Sequence, residues 1–254
     1  MEISTVYKKK YHVGISDVDF TRKIKLSSLF NYFQDIASMA AEKLGYGIDI
    51  LASRYNVIWA LIRIKVDIIR DPVWNEDIFI ETWPQAPKRF EYERDYIVRD
   101  KDGNIIINAT SVWVIIDIES RQLKSSETVD IKYPSIKTER AIDERLRRLK
   151  ATGNMQEAYK KVIGYSDIDI NEHLNNSKYT DFIMDCFTIE DLKQCEVKSI
   201  EVNYVNETLP GETIILYKDT STISTGIICI EGVKEKDKDK QTVFRTRLEI
   251  AQIP

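Results

Sequence analysis

The chain has 254 residues, enough for one large domain or two small ones, with 43% of them apolar and 31% charged in both signs. That balance argues against a disordered chain, and a net charge of -4 gives no reason to expect nucleic acid as a partner. Three cysteines without a CxxC pair and only two histidines argue against a disulfide framework or a multi-histidine metal site, so no cofactor is expected.

The first ten residues lack an apolar signal region, and no apolar run approaches the roughly 20 residues that cross a bilayer. A cytosolic protein without a membrane span is therefore expected. Residues 14–24 form a loop, and the spacing of Leu29, Tyr32, Phe33, Ile36, Ala37, Ala40 and Leu44 predicts one long helix starting just after Ser27 and Ser28. Period-two alternation then predicts strands over 57–69, 78–83, 90–98 and 105–118. A charged stretch over 135–153 follows, in which Ile142, Leu146 and Leu149 recur at helical spacing, so an amphipathic linker helix is expected. Tyr179, Phe182, Ile183 and Cys186 mark a second helix. Strands are predicted over 196–205, 213–218, 225–233 and 243–250, with a solvated hairpin tip over 234–240.

This order is a duplication. Residues 14–24 (GISDVDFTRKI) align without a gap on residues 164–174 (GYSDIDINEHL), 150 residues further on. Gly14/Gly164, Ser16/Ser166, Asp17/Asp167 and Asp19/Asp169 are identical, and each copy leads into a helix and then strands. The expected fold is α+β, two halves each with an antiparallel sheet wrapped on a helix: 1–134, a linker over 135–153, and 154–254.

The copies differ where chemistry is expected. Thr21 becomes Asn171 and Lys23 becomes His173, so the second copy gathers Asp169, Asn171 and His173 at i, i+2, i+4. On an extended loop these would share one side, next to free N–H groups at the head of the second helix that can hold a developing negative charge. A general acid/base group beside oriented donors suits acyl hydrolysis. Asp169 can equally brace the turn, since Asp19 persists in the copy that lacks the histidine. His12 aligns with no such cluster and is read as structural, and Cys186 as core.

The second-half pattern Asp169-x-Asn171-x-His173-x-Asn175-Asn176-x-x-Tyr179 resembles the acyl–acyl carrier protein thioesterases, a tandem double-hotdog family of plants and bacteria. In the first half the resemblance rests on Trp59-Ala60, Asp71-Pro-Val-Trp74, Glu81-Thr-Trp83, Arg94-Asp95 and Ala109-Thr-Ser-Val-Trp113. It implies two tandem hotdog folds, an acyl-chain pocket shaped chiefly by the first half near Trp59 and Trp113, and chemistry in the second half at Asp169, Asn171 and His173. Asn175 and Asn176 join the substrate-binding set. Plant members carry a Glu-Cys pair on the strand after the second helix. Here the ungapped positions are Val205 and Asn206, so a cysteine nucleophile is not expected. Glu207, two residues on, becomes the candidate carboxylate and water the attacking group.

The implied reaction is release of free fatty acid from acylated acyl carrier protein, in fatty acid biosynthesis. An acyl-CoA substrate or a non-catalytic lipid-binding module are the alternatives, and the Asn171–His173 pair argues against the latter. An acidic carrier protein would need a basic surface, for which Arg145, Arg147, Arg148 and Lys150, or Lys8, Lys9 and Lys10, are candidates. Two hotdog halves in one chain are compatible with a monomer or a homodimer.

Overall fold

The computed structural model describes residues 4–133, 136–221, 223–236 and 239–253. It divides into two compact units, one formed by residues up to Ile24 with Asn31–Leu146, the other by Lys25–Phe30 with the chain from Arg147 onward. The break between Leu146 and Arg147 falls inside the stretch expected to be a linker.

In the first half β1 (Tyr7–His12) is followed by a short 3-10 turn, then α1 (Leu26–Lys43) and α2 (Ile48–Tyr55). Strands β2 (Val57–Ile68), β3 (Asp77–Pro84), β4 (Tyr92–Arg99), β5 (Ile105–Asp117) and the short β6 (Leu123–Lys124) complete it. Within this half the antiparallel order is β1–β3–β4–β5–β2, with β6 beside β5. The apolar stripe of α1 is buried as its spacing requires: Leu29 and Ile36 are 0% exposed and Phe33 1%. Each such side chain contributes about 1.5–3 kcal/mol on burial. Phe33 meets Tyr96 of β4 with ring centroids 4.8 Å apart.

Two helix boundaries differ from the sequence reading. α1 starts at Leu26, so Ser27 and Ser28 lie buried in its first turn rather than before it. The predicted single helix is followed by α2, because Gly45 takes a left-handed backbone (φ 81°) that stops α1, and the chain restarts after Gly47.

The second half runs β7 (Gln156–Val162), a 3-10 turn, α3 (Lys178–Met184), α4 (Ile189–Gln194), β8 (Cys195–Tyr204), β9 (Thr213–Asp219), β10 (Ile227–Lys236) and β11 (Asp239–Gln252). Its antiparallel order is β8–β11–β10–β9–β7. Tyr179, Phe182, Ile183 and Cys186 are all buried, as their spacing predicted, although the helical region is split in two. At Gly232 an added Cβ would sit 2.1 Å from the ring of Phe244, so only glycine lets β10 pass this buried side chain. Phe244 in turn packs edge-on against Tyr179, 5.3 Å between centroids. The hairpin tip expected over 234–240 is partly outside the described residues at 237–238, and Lys234 is buried rather than solvated.

The linker helix does not form: residues 136–155 contain no helix. Ile142 and Leu146 are buried, but the polar backbone is spent elsewhere. The Glu139 carbonyl accepts from Trp83 Nε1 at 2.9 Å and from Gln85 Nε2 at 3.0 Å, and Leu149 N donates to Asn203 Oδ1 at 2.7 Å. Arg140 adds ion pairs to Glu93 (2.8 Å) and the fully buried Asp95 (3.0 Å). An extended segment reaches these anchors; a helix would need the same backbone groups for its own ladder.

Candidate active site

Asp169–His173 is a tight turn, not the extended loop expected. Asp169 N donates to His173 O at 2.9 Å and Glu172 N to Asp169 O at 3.1 Å, while Ile168 and Leu174 bridge across its base. Glu172 takes φ 63°, a left-handed conformation that costs a non-glycine residue of order 1 kcal/mol. The Asp169 carboxylate braces this turn from inside, accepting from Asn171 N at 2.8 Å and from His173 N at 3.5 Å. The side chain of Asn171 stands exposed, and that of His173 is 24% exposed.

The first-half copy has the same backbone. Asp19 N donates to Lys23 O at 2.9 Å, Arg22 N to Asp19 O at 3.0 Å, Val18 bridges Ile24, and Arg22 has φ 65°. Asp19 Oδ1 accepts from Thr21 N at 2.7 Å and from Thr21 Oγ1 at 2.6 Å. Ahead of each turn, Gly14 N and Gly164 N donate to Asp17 and Asp167 carboxylates at the same 2.9 Å. The repeated aspartates are thus turn-builders in both copies.

The partner of His173 comes from the loop after β8. Glu207 Oε2 lies 3.3 Å from His173 Nε2, and its side chain is 47% exposed. This loop also has a twin. Leu174 N donates to Thr208 O and Ile24 N to Pro72 O, both at 2.9 Å, which makes Glu207 the positional equivalent of Asp71. The sequence signal is a second match, Asp71-Pro72-x-x-Asn75-Glu76 on Glu207-Thr208-x-x-Gly211-Glu212, 136 residues apart. Asn75 (φ 66°) and Gly211 (φ 82°) both turn the chain left-handed there. In the first half this places Lys23 Nζ 3.3 Å from Asp71. One fold position therefore holds a lysine–aspartate pair in one half and a histidine–glutamate pair in the other.

The remaining candidates fall into two groups. Asn175 Oδ1 accepts from Ser177 N and Ser177 Oγ, both at 3.0 Å, and Asn175 O accepts from Lys178 N at 2.9 Å. Ser177 N and Lys178 N at the head of α3 are therefore already engaged, and the free donors expected there for an oxyanion are not found in them. Asn176 O accepts from Tyr204 Oη at 2.9 Å, and Tyr179 Oη reaches Thr208 at 3.5 Å, which ties the loop beside Glu207 to the helix. In the first half, Trp59 and Trp113 pack against one apolar cluster containing Leu51, Val57, Tyr92, Ile115, Val129 and Ile131. Trp59 Nε1 donates to Tyr46 O at 3.0 Å and Trp113 Nε1 to Ser111 Oγ at 2.8 Å. The buried hydroxyl of Tyr92 has no hydrogen-bond partner among the described residues.

Cys186 is no nucleophile. Burial pushes its thiol up to about 12, and its Sγ donates to Phe182 O at 3.4 Å. His12 pairs at the surface with Asp77 at 2.9 Å. Among the described residues no group of His, Cys, Asp and Glu could hold a metal ion, and no helix is long and apolar enough to cross a membrane.

Fold and site together define a tandem hotdog protein whose second half carries a histidine–carboxylate pair. The acyl-ACP (acyl carrier protein) thioesterase N-terminal domain matches residues 4–130 and the corresponding C-terminal domain residues 149–251. The chain belongs to the acyl-ACP thioesterase family.

The chain is similar to a chloroplastic oleoyl-acyl carrier protein thioesterase of Coriandrum sativum, 29% identical over 79% of this chain and 59% of that protein. An Arabidopsis thaliana oleoyl-acyl carrier protein thioesterase is 26% identical over 87% of this chain and 65% of that protein. The chain thus spans about three-fifths of the length of these curated relatives. Among solved structures, an acyl-ACP thioesterase from Bacteroides thetaiotaomicron superposes with a TM-score of 0.86 at 28% identity, over 97% of this chain and 98% of that one. The 12:0-ACP thioesterase of Umbellularia californica shares the fold, with a TM-score of 0.86 at 20% identity over 99% of both chains.

Proposed function

We propose that this chain hydrolyses fatty acyl thioesters of acyl carrier protein, releasing free fatty acid, and that the chemistry belongs to His173 and Glu207. The observation that carries this is the exchange of Lys23–Asp71 for His173–Glu207 at one fold position. A lysine beside an aspartate stays protonated at neutral pH and accepts nothing. An imidazole beside a glutamate takes up and releases a proton in that range.

A water molecule between the pair and the substrate attacks the thioester carbonyl carbon. Its proton passes to the His173–Glu207 pair as the carbon–oxygen bond forms. The carbon–sulfur bond then breaks, and the thiolate leaves with a proton returned by the imidazole. Asn171, exposed on the same turn, supplies an amide N–H to the carbonyl oxygen as negative charge builds on it. Asp169 holds Asn171 and His173 in place through their backbone N–H groups. The apolar cluster around Trp59 and Trp113 is the lining proposed for the acyl chain.

Of the two basic runs considered for an acidic carrier, Lys8, Lys9 and Lys10 are each paired with a carboxylate, Glu81, Asp35 and Asp77. Arg147, Arg148 and Lys150 stand exposed and are the better candidates for docking. The test is turnover of decanoyl and palmitoyl thioesters, on acyl carrier protein and on coenzyme A, by the wild type and by His173→Ala. Loss of an acid/base group predicts a fall in kcat of about 10²–10⁴-fold with the fold intact. A folded variant within threefold of wild type would refute the assignment, and a preference for the coenzyme A ester would refute the carrier.

A further inference from the structure

The loop that carries Glu207 is gripped by a buried lysine. Lys234 on β10 is 7% exposed, and its Nζ donates to the backbone carbonyl of Glu207 at 2.6 Å and to Glu212 Oε2 at 2.7 Å. Glu212 Oε2 also accepts from Leu209 N at 2.7 Å, closing the loop on itself. An ammonium withdrawn from water is tolerated only when it is paired and hydrogen-bonded. Here one of the two groups it holds is the main chain of the residue whose carboxylate meets His173.

The first half builds the same grip from a different place. Arg70 donates to the carbonyl of Asp71 at 3.1 Å and to both carboxylate oxygens of Glu76, at 3.0 and 2.6 Å, and Glu76 Oε2 accepts from Val73 N at 3.0 Å. The two groups gripped are those of the second half: the carbonyl of the loop's acidic residue and the glutamate five positions on. In the second half the position of Arg70 is taken by Asn206, which points its amide to Thr242 O instead. The same two groups are gripped by the neighbouring residue in the first half and by a strand further along the chain in the second. We infer that Lys234 is a positioning residue for the hydrolysis, fixing the Glu207 carboxylate at its distance from His173 Nε2. This rests on the reading of His173 and Glu207 given above.

The test uses full-length Lys234→Met, Lys234→Arg and Arg70→Met, with Glu207→Gln as the reference. A displacement of a reacting group by about 1 Å costs up to about 10²-fold in rate, so Lys234→Met should lose about 10- to 100-fold in kcat with KM within about twofold. Lys234→Arg should recover most of that loss. The limb of the kcat/KM profile that reports the imidazole should move to lower pH in Lys234→Met, because the carboxylate that favours the protonated ring is no longer held against it. Arg70→Met should lose thermal stability to a similar degree, yet keep kcat and the profile. Should Lys234→Met not fold, Lys234→Met with Glu212→Gln removes both partners and is read in the same way. If Glu207→Gln is inactive while Lys234→Met keeps kcat and profile, the positioning role alone is wrong. Equal kcat losses in Lys234→Met and Arg70→Met also overturn it, since the grip would then act only through stability. If Glu207→Gln itself remains active, the site assignment falls and the positioning role falls with it.

Discussion

The turns at Asp19–Lys23 and Asp169–His173 share their backbone hydrogen bonds, a left-handed fourth residue and a bracing aspartate, yet differ in the side chains they present. The loops opposite them, at Asp71 and Glu207, also share their geometry. The turn and the loop that faces it are therefore repeated, and the side chains they present differ at three positions, Thr21/Asn171, Lys23/His173 and Asp71/Glu207. A lysine–aspartate pair, Lys23–Asp71, occupies the place that a histidine–glutamate pair, His173–Glu207, takes in the second half. What recurs in both halves builds the turn; what differs is the candidate for chemistry.

The comparison breaks most visibly at the acidic partner. Glu207→Gln should lower kcat by at least about 10²-fold, whereas Asp71→Asn at the twin position should leave it within about twofold in a steady-state assay. Comparable losses would mean that the halves share the chemistry. The amide comes next. Asn171→Ala is expected to lose about 10²-fold in kcat, the usual effect of removing one donor to an oxyanion, and Thr21→Ala almost nothing; a change confined to KM would move Asn171 from the reacting centre to ground-state binding.

The bracing aspartates should behave alike in stability. Asp19→Ala and Asp169→Ala each remove side-chain acceptors from backbone N–H groups, for a loss of about 1 kcal/mol, or roughly 2–4 °C in melting temperature for a chain of this size. Only Asp169→Ala should also reduce turnover, since only its turn carries the histidine.

The smallest expected effect is a pH dependence at Arg70. Its hydrogen bonds hold the Glu76 carboxyl below the ordinary range. A depressed carboxylate contributes stability that is present above its unfolded value and is lost as the pH falls through its folded value. The stability gap between wild type and Arg70→Met should be full at neutral pH and close in acid. Denaturant titrations at neutral and acidic pH measure it, and a gap that persists in acid would show that Arg70 acts through packing instead.

Much of this architecture was legible in the sequence. Alternation located the strands from Val57 to Asp117 and from Cys195 to Gln252, and helical spacing identified the buried faces of α1 and α3. The repeat of residues 14–24 at 164–174 exposed the duplication and singled out His173. The path of residues 136–153 was misread because Ile142, Leu146 and Leu149 satisfy helical spacing equally well in an extended strap. Its anchors, Trp83, Gln85 and Asn203, lie far away in the chain.

The sequence by itself determined the twofold repeat, most of the strands and the place of His173 within the repeat, since each is written in spacings of a few residues, where side-chain period acts directly. Only the tertiary structure decided which carboxylate meets the imidazole, that the amides of Ser177 and Lys178 at the head of α3 are already spent, and that Lys234 holds the Glu207 loop. Those facts depend on strand register and loop closure between distant residues. A slip of one residue turns every side chain on a strand to the other face, and no local pattern fixes it.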